Sequence, residues 1–94
     1  MDIKMIKISD MYLAATLLSY GAKLDEIDRS DPRRQQFSFS GEVEEIWVIA
    51  GHSILRIEKP DFETIKTKYV GGTLVFPPAF VDCVKKIKSS IHGA

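Results

Sequence analysis

The sequence predicts an α+β domain: a small antiparallel sheet of three to five strands, preceded by a helix and followed by two helices packed on it. Three observations carry that prediction. Apolar residues recur at helical spacing over 11–20, 62–69 and 80–91. Aromatic and β-branched residues fill much of the stretch between the first two helical segments. Glycine and proline punctuate the chain at Gly21, Pro32, Gly51, Pro60, Gly71-Gly72 and Pro77-Pro78. No linker or low-complexity tract divides the 94 residues, so one domain spanning 1–94 is expected.

The elements follow in order. Ile3, Ile6 and Ile8 alternate loosely with Lys4 and Lys7, as a short strand or an ordered lead-in would. Ser9 or Asp10 offers an N-cap, because either side-chain oxygen can accept an otherwise unpaired backbone N–H. Met11 to Tyr20 then runs without glycine or proline, with Leu13, Ala14, Leu17 and Leu18 as an apolar stripe. Gly21 sits where a left-handed residue ends a helix. Leu24 to Arg29 and Arg34 to Ser40 read as an antiparallel hairpin across the turn Ser30-Asp31-Pro32-Arg33. Phe37 and Phe39 share one face of its second strand, and Gln36, Ser38 and Ser40 share the other.

Val43 to Ile57 supports two readings. Ile46-Trp47-Val48-Ile49, the break Ala50-Gly51-His52-Ser53, and Ile54-Leu55-Arg56-Ile57 make a second hairpin, the preferred reading. A helix over 42–50 is the alternative, favoured by Glu42, Glu44 and Glu45 at its positive end. Pro60 and Asp61 open the next helix, where Phe62, Ile65 and Tyr69 form a narrow stripe ending at Gly71-Gly72. Thr73 to Phe76 is extended. The last helix, Ala79 to Ile91, carries Phe80, Cys83, Val84, Ile87 and Ile91 on one face, and Lys85, Lys86 and Lys88 away from it.

Thirteen basic and thirteen acidic residues cancel. A nucleic-acid binder usually carries a basic excess, because phosphate contacts dominate its affinity. One cysteine allows no intrachain disulfide and suits a reducing cytoplasm, and no apolar stretch approaches the length of a membrane span. The expected location is cytoplasmic.

Candidate chemistry is sparse. Cys83 lies among apolar neighbours and reads as packing. His52 and His92 lack the spaced ligands of a metal site, so no metal or other cofactor is expected. Gly71-Gly72 follow a helix, whereas phosphate-cradling glycines precede one. Asp25, Glu26 and Asp28 read as a charged strand edge that discourages unwanted pairing. Two groups remain as candidate sites. Ile46, Trp47, Val48 and Ile49 put apolar side chains on both faces of one strand, and a face left uncovered would dock a second copy or another protein, with Trp47 as anchor. Arg29, Arg33, Arg34, Lys85, Lys86 and Lys88 could follow a nucleic-acid backbone if the fold brings them together.

The run Asp10-Met11-Tyr12-Leu13-Ala14-Ala15-Thr16-Leu17-Leu18-Ser19-Tyr20-Gly21 resembles the opening of a short prokaryotic and phage-borne family of unknown function, D-x-Y-L-A-A-x-L-L-x-x-G. Ile27-Asp28-Arg29, Arg33-Arg34 and Phe37-Ser38-Phe39 fit the arginine-containing hairpin and F-x-F strand that follow in that pattern. Tyr69, Gly72, Phe80, Ile87-Lys88 and Ile91 sit where its members close. Residues 42–58 lie outside the pattern. The resemblance implies no assigned activity, and its phage and mobile-element setting implies an accessory role. The functional expectation is a non-enzymatic binding protein acting through protein–protein contact. A nucleic-acid-binding accessory protein is the alternative.

Overall fold

A computed structural model describes residues 3–31 and 33–92. The chain order is β1 (Ile3–Ile8), α1 (Met11–Ser19), β2 (Lys23–Asp28), β3 (Gln36–Gly41), β4 (Glu45–Ala50), β5 (Ser53–Glu58), α2 (Phe62–Val70) and α3 (Phe80–His92). The α+β reading holds, with the strands divided between two antiparallel sheets, β1-β3-β2 and β4-β5. The chain leaves β3 through Gly41, whose φ of 95° bends it toward β4. The expected N-terminal strand is β1; Met1 and Asp2 lie outside the described residues, as does Pro32 of the first hairpin turn.

Helix α1 is the hub. Its sequence shows a stripe, yet Leu13, Ala14, Ala15, Thr16 and Leu17 are buried in succession. A helical stretch buried all round must satisfy its polar groups internally. Thr16 does so by donating its hydroxyl to the Tyr12 carbonyl at 2.7 Å. Asp10 caps the start, accepting from the Tyr12 and Leu13 amides at 2.9 and 3.1 Å. Gly21, with φ of 101°, ends the helix as expected. Its amide reaches Leu18 and the Ala22 amide reaches Leu17, the paired bonds of a Schellman motif. The same motif closes α2, where Gly72 bonds Tyr69 and Thr73 bonds Lys68. The Gly71-Gly72 pair is therefore a helix stop.

Around α1 the core gathers Ile8, Phe37 and Phe39 from the first sheet, Val43, Ile46 and Val48 from the second hairpin, Ile65, Leu74, and Cys83 with Ile87 from α3. Helices α1 and α3 pack on each other. Phe37 and Phe39 share the inward face of β3, and neighbouring Ser38 is covered by the flanking strands.

The ambiguous segment forms the hairpin. Ala50 pairs with Ser53 across Gly51-His52, and Gly51 has φ of 63°. Glycine at the first turn position matches a type II′ turn, whose twist suits antiparallel strands. Helix over 42–50 fails because Ile46-Trp47-Val48-Ile49 gains a partner on each side. The extended piece after α2 pairs with the opposite edge of β4: the Ile49 amide donates to Thr73 at 2.7 Å and the Val75 amide to Trp47 at 2.8 Å.

Two tyrosines fasten this half of the chain to the ends of α1. The Tyr69 hydroxyl, from α2, donates to the Asp10 carboxylate at 3.1 Å. Burial, reinforced by that carboxylate, pushes the Tyr69 pKa up to about 12. A phenol whose pKa rises on folding supports stability fully below its unfolded value near 10, and that support is lost as pH climbs through the folded value. Chemical denaturation between pH 10 and 12 should therefore show falling stability, with a shallower fall in Tyr69→Phe.

Candidate functional site

The β4–β5 hairpin separates its two faces cleanly. Directly opposed residues share a face, and the pairs run Ile46–Ile57, Trp47–Arg56, Val48–Leu55 and Ile49–Ile54. Ile46 and Val48 point into the core and are buried. This corrects half of the expected interface, because α1 and the residues around Ile65 and Leu74 already cover that face. Trp47 and Ile49 point outward, 41% and 49% exposed, and Ile54 beside them is 60% exposed. Leu55 belongs to the inward face but lies near the hairpin tip, beyond the core, at 52%. Exposed apolar side chains are common singly, whereas adjacent large ones on one hairpin form a patch.

Charges rim this face. Glu45 and Glu58 are directly opposed, a destabilising like-charge pair by itself. Arg56 lies between them, its guanidinium 3.9 Å from Glu45 and hydrogen-bonded to Glu58. That bridge is exposed, and its main effect is to cancel the repulsion.

At the other end of the patch is a groove of about 360 Å³ whose walls include Tyr20, Trp47, Phe76 and Pro77, with Glu44 and Glu45 at its acidic side. Phe76 is held by ring contacts with Tyr69 (6.4 Å, edge-on) and Phe80 (4.6 Å, tilted). The Tyr20 hydroxyl accepts from the Trp47 amide at 3.3 Å and donates to the Val75 carbonyl. Burial pushes the Tyr20 pKa up, Glu45 adds to it, and the Trp47 amide opposes. The phenol therefore stays protonated and keeps both bonds at neutral pH.

The basic residues are divided. Arg29 and Lys86 line one shallow dish of about 840 Å³, joined by Lys23, Ser89 and Ser90. Lys23 also pairs with Asp25 at 3.8 Å. Helical spacing places Lys85 and Lys88 on the other flank of α3 from Lys86. Arg34 donates to the Ser9 hydroxyl at 3.1 Å and lies beside Asp28 and Asp31. Arg33 is exposed at the first hairpin turn, where its amide bonds the Asp31 carboxylate.

Other candidates take structural roles. Cys83 is buried, and burial pushes its thiol pKa up despite Lys86 nearby. Asp28 accepts the hydroxyl and amide of Ser30, which holds its carboxyl below the usual range and fixes the start of a turn. The His52 side chain is exposed in the II′ turn, and that of His92 lies outside the described residues. Among the described residues no group of three His, Cys, Asp or Glu could hold a metal ion. No described helix is long and apolar enough to cross a membrane. Comparisons with protein-family models, curated proteins and solved structures give no match for this chain.

Of the residues singled out from sequence for an interface, Trp47 and Ile49 lie on the exposed face; Ile54, Leu55, Tyr20, Phe76 and Lys23 join these surfaces without having been singled out. The run Ile54-Leu55-Arg56-Ile57, apolar on both faces of a terminal strand, was the available signal for Ile54 and Leu55. The two faces of β4 should differ sharply in stability experiments. Ile46→Ala should cost about 2–5 kcal/mol by urea denaturation, as large-to-small core changes do, and Trp47→Ala less than about 1.5 kcal/mol.

Proposed function

We propose that this chain is a non-enzymatic binding module that acts through protein–protein contact at the outer face of the β4–β5 hairpin. One observation carries the reading: Trp47, Ile49 and Ile54 form an adjacent apolar set on a sheet face that the fold itself does not cover. Tryptophan is among the residues that most often anchor interfaces, and the Glu45, Arg56 and Glu58 charges supply a polar rim. The accessory, phage or mobile-element setting is part of this proposal and rests on the D-x-Y-L-A-A-x-L-L-x-x-G resemblance of residues 10–21. A single buried thiol is compatible with work in the reducing cytoplasm.

Photocrosslinking tests the reading by position. A benzophenone amino acid at 47, 49 or 54 should give protein adducts in cells making the chain, and one at Lys66 or Glu63 on the exposed side of α2 should not. Equal adducts at both sets, or none at the hairpin, would overturn it.

A second reading keeps the dish formed by Lys23, Arg29 and Lys86, where three cations and two hydroxyl-bearing serines meet. Contact with a nucleic-acid backbone at this dish releases counterions, so log K should fall against log salt with a slope of about −2 to −3. Lys86→Glu should weaken binding, and Lys85→Glu should leave it nearly unchanged. Absence of retention at low salt removes this reading.

A further inference from the structure

We propose that a second copy of this chain docks edge to edge on β5, pairing antiparallel about Leu55 to make one sheet continuous through both hairpins. The inference rests on the hairpin being the docking element and goes further by naming the occupant and its register.

The backbone fixes which groups are free. Trp47 and Ile49 turn their backbone groups toward Thr73 and Val75. The alternate residues Ile46, Val48 and Ala50 therefore turn theirs toward β5, where Ile57, Leu55 and Ser53 receive them. What remains on the far side of β5 is the N–H and C=O of Ile54, Arg56 and Glu58, with no strand beyond them among the described residues. An open edge of this kind is a template for another strand unless something blunts it.

The pairings of β1 and β2 are interrupted, and that of β5 is not. The pairings of β1 and β2 with β3 each contain a register shift, at Ile3/Ile6 and Leu24/Glu26. Strand β2 also carries Lys23, Asp25, Glu26 and Asp28. Strand β5 keeps an unbroken register from Ser53 to Glu58, and presents Ile54 on one face and Leu55 on the other, both more than half exposed. Zero net charge leaves no long-range repulsion between copies.

Self-complementarity selects the register. Free groups meet only when outward-bonding residues face each other, and the two longest self-overlaps this allows are residues 53–57 and residues 54–58. The second register sets Arg56 opposite Arg56 of the other copy, a like-charge pair. The first sets Leu55 opposite Leu55 of the other copy and Ile54 opposite Arg56, so both exposed apolar side chains gain a neighbour across the edge. The outer faces bearing Trp47 then lie side by side on one sheet, doubling the surface offered to a further protein.

The Leu55–Leu55 contact is a non-hydrogen-bonded antiparallel pair, with Cα atoms about 4.5 Å apart and inside disulfide range. Leu55→Cys should therefore form a covalent dimer under mild oxidation, and Ile54→Cys or Arg56→Cys should do so at least about tenfold more slowly. Equal rates at the three positions, or no dimer at 55, overturn the register and the proposal. The unaltered chain supplies an independent measurement: sedimentation should show a concentration-dependent dimer, and amide exchange at Ile54 and Arg56 should slow as it forms. A chain that stays monomeric to about 1 mM with unchanged exchange at those amides overturns the second-copy inference. In that case hairpin photoadducts to a different protein would leave the broader binding proposal standing, so the two failures are distinguishable.

Discussion

Burial of the middle of α1, Leu13 to Leu17, is the constraint on which the rest depends. Nine residues long, the helix is too short to persist alone in water, so its stability comes from what surrounds it. Ala14 and Ala15 keep it slim enough for other elements to approach closely, while Leu13 and Leu17 supply bulk. Each end of the helix is closed by side chain or backbone. Asp10 serves the N-terminal amides and receives Tyr69; the glycine motif at Gly21 serves the C-terminal carbonyls. The two sheets and α3 are arranged around that closed unit.

The fold was legible wherever local chemistry dictates it. The Asp10 cap, the Gly21 stop, the Phe37–Phe39 alternation and the Asp61 start of α2 are each set by a few adjacent residues, and sequence reading placed them within a residue or two. The 43–57 segment was harder because its glutamates favour a helix N-terminus while its apolar run favours a strand. Long-range pairing decides it, since β4 gains a ladder on both sides. The same effect hid the centrality of α1: Thr16 looks like a polar position, and only its bond back to Tyr12 makes burial affordable. Division of the strands into two sheets was invisible for a similar reason, since hairpins can be read locally but their neighbours cannot.

The site was half legible. An apolar strand with Trp47 at its centre can be recognised from sequence, but which face the fold occupies depends on Ile65 and Leu74, distant in the chain. The groove beside it draws on α1, β4 and the Phe76-Pro77-Pro78 corner, three segments that no spacing rule connects. The basic residues show the opposite failure. Lys85, Lys86 and Lys88 look like one stripe in sequence, yet a helical turn of about 100° per residue separates them, and Lys86 alone joins Arg29.

The Tyr20 hydroxyl occupies a place that an ordinary sheet gives to a direct amide–carbonyl bond. Trp47 and Val75 exchange one such bond, and the oxygen of Tyr20, the residue that caps α1, is wedged into the other. It behaves as a spacer of atomic width between β4 and the strand after α2, beside the groove that Tyr20, Trp47, Val75 and Phe76 line. Shape at the protein surface is thereby set by one atom at the end of a buried helix.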